Sequence, residues 1–483
     1  MGGFFGVVSK ENCNFDLLYG TDYHSHLGTR RGGIVIGGRS ISYRRIHDIT
    51  RKGFRPQLED FAVEHYGTMG IGVVSDYEDQ PIFSSRFGGF YVVHVGRINN
   101  LVSIVENAHK GKVSFSEPAP DETMPFNPAE VIAYLIGQGN NISDGIEIMQ
   151  NTIEGSSSVL VMSKDGIYAA RDKLGRTPVI IAKKDGAYAA TMETTALCNQ
   201  GFKPYMELGP GQIVRLTLDG CEQLKEPGVK MQICAFLWIY YGFPGSSYEG
   251  VNVEIMRNHS GEGLARADMK RMNKNREELP FDIIADIPDS GTGSTIGYTN
   301  ESGMRRGRPL VKYTPSWPRS FMPQEQSFRD LVAKKKLITI RELIERKRIL
   351  FCEDSIVRGT QLKDNIHMLF DEYQAQEIHM RPSCPPLTHA CTFLNFSRSS
   401  SEQVLAARRA IAAVDKEDGK NHDVNDFTDE NSDLYNRMVG HIRDSLSLTS
   451  LEYQRMDDLV TSIGLPKEKL CLGCWRDCNS CQK

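Results

Sequence analysis

The chain reads as a mixture of α+β and α/β structure, with an αββα-layered amino-terminal domain followed by a domain built on a mainly parallel sheet. Two patterns carry this expectation. Up to about residue 230, short β-like runs alternate with glycine-rich turns, as in an antiparallel layered domain. Beyond it, apolar strands pass through turns of small residues directly into helical periodicity, the order of a parallel strand-turn-helix unit. The expected boundaries are 1–230, 231–415, and a cysteine-rich segment at 416–483 entered through a polar, acidic connection at 416–433.

In the first domain, Gly32-Gly33-Ile34-Val35-Ile36 and Ser157-Ser158-Val159-Leu160-Val161-Met162 read as strands, as does 4–8, and helical spacing runs over 130–136. The longest apolar stretch, 233–243, is too short to cross a bilayer. No basic segment followed by a hydrophobic run opens the chain, so a cytoplasmic protein is expected. The 483 residues, 40% of them hydrophobic, can form two or three packed cores. A formal charge of -4 supplies no broad attraction to nucleic acid or membrane surfaces, so small molecules and proteins are the expected partners. Eleven cysteines in such a compartment indicate metal ligation or buried thiols in preference to disulfides.

In the second domain, Asp282-Ile283-Ile284-Ala285-Asp286-Ile287 reads as a strand. It runs into Pro288-Asp289-Ser290-Gly291-Thr292-Gly293-Ser294-Thr295, small residues and hydroxyls that can wrap a pyrophosphate. Residues 312–337 are rich in proline and basic residues, including Arg319 and Lys334-Lys335-Lys336; such a run is compatible with a solvated face. The most informative stretch is Arg348-Ile349-Leu350-Phe351-Cys352-Glu353-Asp354-Ser355-Ile356-Val357-Arg358-Gly359-Thr360. Its apolar start reads as a strand buried on both faces, and Leu362, Ile366 and Leu369 follow at helical spacing. The turn between them lies where open α/β sheets bind ligands, with free N–H groups at the helix start for a phosphate. Gly359 permits a positive φ or a close approach, and Ser355 and Thr360 can donate to phosphate oxygens. Glu353 and Asp354 are placed to hold ribose hydroxyls, or a metal bridging ribose and pyrophosphate, and to oppose positive charge developing on a sugar. Two carboxylates alone can be a solvated strand end; the thirteen residues together outline a sugar-phosphate site.

This segment resembles the PRPP-binding signature of type I phosphoribosyltransferases. Its Asp354-to-Thr360 portion is similar to the version found in the amidophosphoribosyltransferase family, and the resemblance extends over nearly the whole chain. It implies a purine-biosynthetic transfer of an amine to C1 of PRPP with release of pyrophosphate, requiring magnesium. It assigns Glu353 and Asp354 to the ribose, and Asp354, Ser355, Ile356, Val357, Arg358, Gly359 and Thr360 to the 5′-phosphate. Ser290, with Glu353 and Asp354, falls to the metal, and Lys312 and Arg319 to the departing pyrophosphate under a closing loop. The family's loop typically begins Lys-Asn-Arg-Tyr-Val-Gly-Arg-Thr-Phe; this chain keeps Lys312, Arg319 and Phe321 but not the residues between, so the acceptor is ammonia or another amine. The resemblance also implies an assembly of identical subunits.

Arg171-Asp172-Lys173-Leu174-Gly175-Arg176-Thr177-Pro178, Met192-Glu193-Thr194 and Gly209-Pro210-Gly211 resemble class II glutamine amidotransferase domains, of the N-terminal nucleophile type. These pieces maintain a fold. The cutting chemistry needs an amino-terminal cysteine, an arginine for the glutamine carboxylate and an oxyanion donor. The family's Met-Cys-Gly start is here Met1-Gly2-Gly3; its Gly-His-Val-Arg-Tyr is Gly72-Val73-Val74-Ser75-Asp76; its His-Asn-Gly-Asn is His94-Val95-Gly96-Arg97; and its amine-binding acid is Pro128. Four changes in unconnected segments imply a pseudo-glutaminase, with ammonia taken free or from a delivering protein. Cys13 would need removal of 2–12 to become a nucleophile.

The tail array Cys471, Cys474, Cys478 and Cys481 is a soft-metal pattern. The resemblance implies a 4Fe-4S cluster on Cys234, Cys391, Cys471 and Cys474. Zinc on the four tail cysteines, or unligated thiols, are the alternatives. A different reading of the whole chain is a non-catalytic PRPP or nucleotide sensor, or an iron-sulfur partner subunit.

Overall fold

The computed structural model describes residues 2–38, 41–118, 124–273, 278–313, 337–394 and 402–476. Its first half is two antiparallel sheets packed face to face. One has seven strands, in the order Lys203–Glu207, Ile180–Lys184, Ala187–Thr191, Gly2–Ser9, Met69–Ser75, Arg31–Gly37 and Ser42–Asp48. The other has six, in the order Cys221–Lys225, Ile213–Leu216, Gly166–Ala170, Gly155–Ser163, Phe90–Ile98 and Ile82–Ser84. Phe4, Val35, Ile71, Val93 and Leu160 meet in the core between them. Helices Asn14–Asp22 and Phe54–Glu64 cover the outer face of the first sheet through Leu17, Leu58 and Phe61. Helices Leu101–Lys110, Pro128–Ile136 and Ile142–Thr152 cover the other through Ile104, Ile132 and Ile146. This is the expected αββα layering. The motif at 171–178 holds it: buried Arg171 donates to the carbonyls of Thr177 at 2.8 Å, Leu208 at 2.6 Å and Gly175 at 2.7 Å.

The second half carries a parallel sheet in the order Ile283–Asp286, Arg348–Glu353, Glu377–Pro382 and Ser450–Leu451. Helices Thr360–Asp371, Ala406–Asp418 and Asp433–Ser445 bury Ile366, Ile411 and Ile442 against one face. Leu264 of helix Val253–Met272 and Tyr298 of helix Thr292–Ser302 cover the other. The polar stretch 416–433 is more than an exposed connection. It contains the end of one helix, a 3-10 turn at Val424–Phe427 and the fully buried Phe427, because the local apolar content is low but one large ring completes the core. The sheet also draws its fourth strand from beyond that stretch. No described helix is long and apolar enough to cross a membrane.

Two features fix helices Val253–Met272 and Thr292–Ser302 against each other and the sheet. Helices Val253–Met272 and Thr292–Ser302 approach so closely that a Cβ on Gly261 would lie 1.9 Å from the Ser294 carbonyl oxygen, and one on Gly297 1.8 Å from that of Asn258. Fully buried Arg381, on strand Glu377–Pro382, donates its Nε to Asp268 at 2.8 Å, and the Tyr298 hydroxyl donates to the same carboxylate at 2.8 Å. A sheet strand and both helices thus share one desolvated ion pair, whose breakage would strand a buried charge. Gly297→Ala should force the helices apart, costing about 1–3 kcal/mol and lowering the thermal midpoint, while Gly303→Ala, with open space at its Cβ, pays only for its left-handed backbone; equal midpoints for Gly297→Ala and the parent chain would refute this packing.

Candidate active site

Ile284 and Leu350 pair in register on adjacent parallel strands, so the turns after both strands open on the same sheet edge. The Pro288–Asp289 peptide between the first strand and its helix is cis. There the Ser290 hydroxyl donates to Glu353 Oε1 at 2.5 Å, and the Asp354 backbone N–H donates to the same oxygen at 3.0 Å. Gly291 makes this meeting sterically possible: a Cβ there would lie 2.0 Å from the Cys352 carbonyl oxygen. The Glu353 carbonyl is fixed in turn by Ser383, which donates from its N–H at 2.9 Å and from its hydroxyl at 3.0 Å.

Both carboxylates are buried, with Glu353 8% and Asp354 5% exposed. Burial, and then the charge of Asp354, push the Glu353 carboxyl well above its ordinary range, while the Ser290 hydrogen bond acts against the rise. Burial also raises Asp354, opposed by hydrogen bonds from Ser355, Glu353 and Ser290 and by the charge of Arg257. One proton on the pair, held by Glu353, relieves the repulsion. Oxygen ligands of this kind suit magnesium, which would replace that proton. Ser355 donates to Asp354, and Gly359, with φ +74°, precedes helix Thr360–Asp371 and turns the chain into it. Lys312 Nζ donates to Asp289 Oδ2 at 2.8 Å, placing it beside the Ser290 turn. Lys312 ends strand Leu310–Lys312, which pairs with Leu337–Thr339. Arg319, Phe321 and Lys334 to Lys336 lie outside the described residues.

Arg257 and the π turn Leu237–Tyr241 were not foreseen as parts of the site. Buried Arg257 donates to the carbonyls of Trp238 at 2.9 Å, Tyr240 at 3.2 Å and Gly242 at 3.0 Å, and its charge acts on Asp354. The turn presents half-exposed Tyr240 to the pair: desolvation first, then the charges of Asp354, Glu353 and Asp76, push its phenol up. Adjacent Tyr241 feels the cysteines at 391, 234 and 474. The sequence showed this turn only as an apolar run, and Arg257 only as one charge among many on a helix.

At the amino terminus, Gly2 pairs with Ser75, and a Cβ on Gly2 would sit 2.6 Å from the Val74 carbonyl oxygen. A Cβ on Gly3 would meet the His24 side chain at 2.6 Å. His24 is fully buried, and desolvation lowers its pKa to about 4, so it is a neutral ring bridging the Gly20 carbonyl at 2.8 Å and the Thr191 hydroxyl at 3.0 Å. Val95 is buried, Pro128 opens a helix capped by Asn127, and Glu78 lies 3.2 Å from His94 Nε2. Arg97 donates to the Cys391 carbonyl at 3.3 Å, and Asn99 to that of Thr392 at 3.0 Å, so the end of strand Phe90–Ile98 and the residue after it strap the two halves of the chain together. Cys13 is fully buried, donates to the Gly67 carbonyl at 3.3 Å, and has its thiol pushed up to about 12, by burial first and then by Asp16.

Cys234 and Cys471 face each other across a two-residue parallel pairing. With Cys391 and Cys474 they line one cavity of about 190 Å3, together with Arg176, Phe236, Phe393 and Trp475. Burial, then Cys471 and Cys391, raise the Cys234 thiol well up; a hydrogen bond with Cys391, then burial, does the same to Cys474. Among the described residues no group of three or more His, Cys, Asp or Glu is arranged to hold a metal ion. Cys478 and Cys481 lie outside the described residues. Cys352 and Cys384 are fully buried, Cys221 is partly buried and Cys198 is exposed.

No family model matches the chain. It is 26% identical to an amidophosphoribosyltransferase of Methanothermobacter thermautotrophicus over 98% of this chain and 92% of that protein. It is 26% identical to an amidophosphoribosyltransferase of Bacillus subtilis over 86% of each. Its fold matches that of the glutamine phosphoribosylpyrophosphate amidotransferase from B. subtilis complexed with ADP and GMP, with a TM-score of 0.80 and 23% identity over 98% of this chain and 96% of the other.

A titration follows from the raised Glu353 carboxyl. Below the ordinary glutamate value near 4.5, folded and unfolded chains are both protonated there. Above it the unfolded chain releases the proton first, so the ligand-free fold loses stability as pH rises toward the native value. Glu353→Gln should remove this loss and raise the ligand-free thermal midpoint at neutral pH. A parent-minus-variant difference that is flat with pH would refute the shift.

Proposed function

We propose, from its similarity over most of its length to amidophosphoribosyltransferases, that the chain transfers ammonia to C1 of PRPP, releasing pyrophosphate and forming phosphoribosylamine. The observation that carries the reading is the 2.5 Å contact between Ser290 and Glu353, which joins the two ligand-facing turns at the ends of adjacent parallel strands. In the reaction the bond from C1 to the pyrophosphate oxygen breaks, a C1–N bond forms, and the nitrogen loses a proton. Glu353 and Asp354 hold the ribose hydroxyls and oppose the positive charge that develops on the ring. The segment from Ser355 to Thr360 cradles the 5′-phosphate at a helix start. Lys312, beside Asp289, meets the pyrophosphate, and Arg319 is assigned to the same task. Glu353, Asp354 and Ser290 would hold magnesium, which would supply neutralisation of pyrophosphate charge.

The amino-terminal domain is assigned no glutamine cleavage. A side chain at position 2 has no room against Val74, Val95 offers no donor and Pro128 no carboxylate. Its contribution is structural, through Arg97 and Asn99, and the nitrogen comes as free ammonia or from another protein. Cys234, Cys391, Cys471 and Cys474 suit a 4Fe-4S cluster: four thiols from three separate segments line a single cavity, and their crowding in a desolvated space disfavours thiolates until a metal compensates them.

Anaerobically purified protein with PRPP and magnesium should release pyrophosphate when ammonium is added and none above background with glutamine. Asp354→Asn should slow the ammonium reaction by about 100-fold or more, and Gly2→Cys should not restore use of glutamine. Equal rates with glutamine and ammonium would overturn the pseudo-glutaminase assignment. Pyrophosphate release that appears only with a different amine would identify another acceptor.

A further inference from the structure

The cysteine cavity holds a fixed positive charge that the transfer reaction does not use. Arg176 is 2% exposed and lines the cavity with all four cysteines. Its carbonyl accepts from the Cys234 N–H at 3.1 Å, tying its backbone to one of them. Its guanidinium lies 3.5 Å from the Phe393 ring centroid and donates to the Gly155 carbonyl at 3.3 Å. A ring and a strand carbonyl thus hold the cation at the wall of the cavity. Glu402, the anion lining the cavity, is already paired with Arg408.

Resting on the cluster assignment above, we propose that Arg176 is the charge-compensating residue of the cysteine-bound cluster and sets its reduction potential. A 4Fe-4S core with four thiolates is an anion, and one-electron reduction by an external reductant such as dithionite adds a further negative charge without making or breaking a bond. A desolvated guanidinium lining the same cavity as the four ligand cysteines favours the more negative form and raises the potential. The planar stack on Phe393 and the directed donor select arginine over lysine.

The test uses the full chain, reconstituted anaerobically with iron and sulfide, assayed for both, and titrated with dithionite under EPR detection. At the parent midpoint, Arg176→Met should lower the ratio of reduced to oxidised cluster at least about tenfold, 59 mV for a one-electron couple; Arg176→Lys should give a smaller drop. If Arg176→Met does not fold, Arg176→Gln, which keeps a planar donor over Phe393, takes its place with the same expectation. Neutral variants that bind the parent's iron and sulfide yet keep its midpoint within twofold in that ratio would overturn the assignment to Arg176 while leaving the cluster standing. A parent chain that takes up no iron, or only zinc, would remove the cluster and this proposal with it, an outcome metal analysis separates from the first.

Discussion

Two adjacent carboxylates, buried at the end of a central parallel strand, are the constraint around which the second half of this molecule is arranged. Burial and mutual repulsion raise both Glu353 and Asp354, so the two cannot both ionise cheaply where they stand. The pair is a place of electrostatic strain that a proton relieves and that a cation in its place would relieve as well. Such strain persists because the surroundings over-determine it: Ser290 and the Asp354 N–H hold one oxygen, and Ser383 holds the Glu353 carbonyl from behind.

The rest of the architecture keeps those partners in place. Glycines 261 and 297 let the helix behind the Ser290 turn lie against its neighbour at backbone contact, and the Arg381–Asp268 pair fastens both to the sheet. From that neighbouring helix Arg257 reaches three carbonyls of the π turn, which sets Tyr240 toward the carboxylates and Tyr241 toward the cysteines. A π turn is rare outside functional sites. Here it is where the carboxylate pair, the cysteine cavity and the antiparallel domain come together.

Much of this was legible in the sequence because it was local. The apolar run into Glu353 and Asp354, the helical spacing of Ile366 and Leu369, and the hydroxyl-rich turn at Ser290 each announce themselves within a dozen residues. That Ser290 shares a site with Glu353 came from the family resemblance and not from local pattern, since two residues 63 apart meet only when their strands pair in parallel. Arg257 and Arg176 escaped for the same reason: a buried arginine is recognised by what it reaches, and its carbonyl partners have no side-chain signature. Arg97 stood in the sequence only as one residue of the altered segment His94-Val95-Gly96-Arg97, whereas the fold uses it as a strap to the Cys391 segment. Phe427 was hidden in a stretch whose composition suggested solvent.

The central claim is that a protonated Glu353 marks the place a cation and an activated pentose will take. Infrared difference spectroscopy on adding magnesium and PRPP tests it most directly. The account predicts that binding removes the carbonyl band of a buried carboxylic acid, and that Glu353→Gln lacks that band beforehand. A band that is absent from the parent protein, or that persists unchanged when PRPP and magnesium bind, would contradict it.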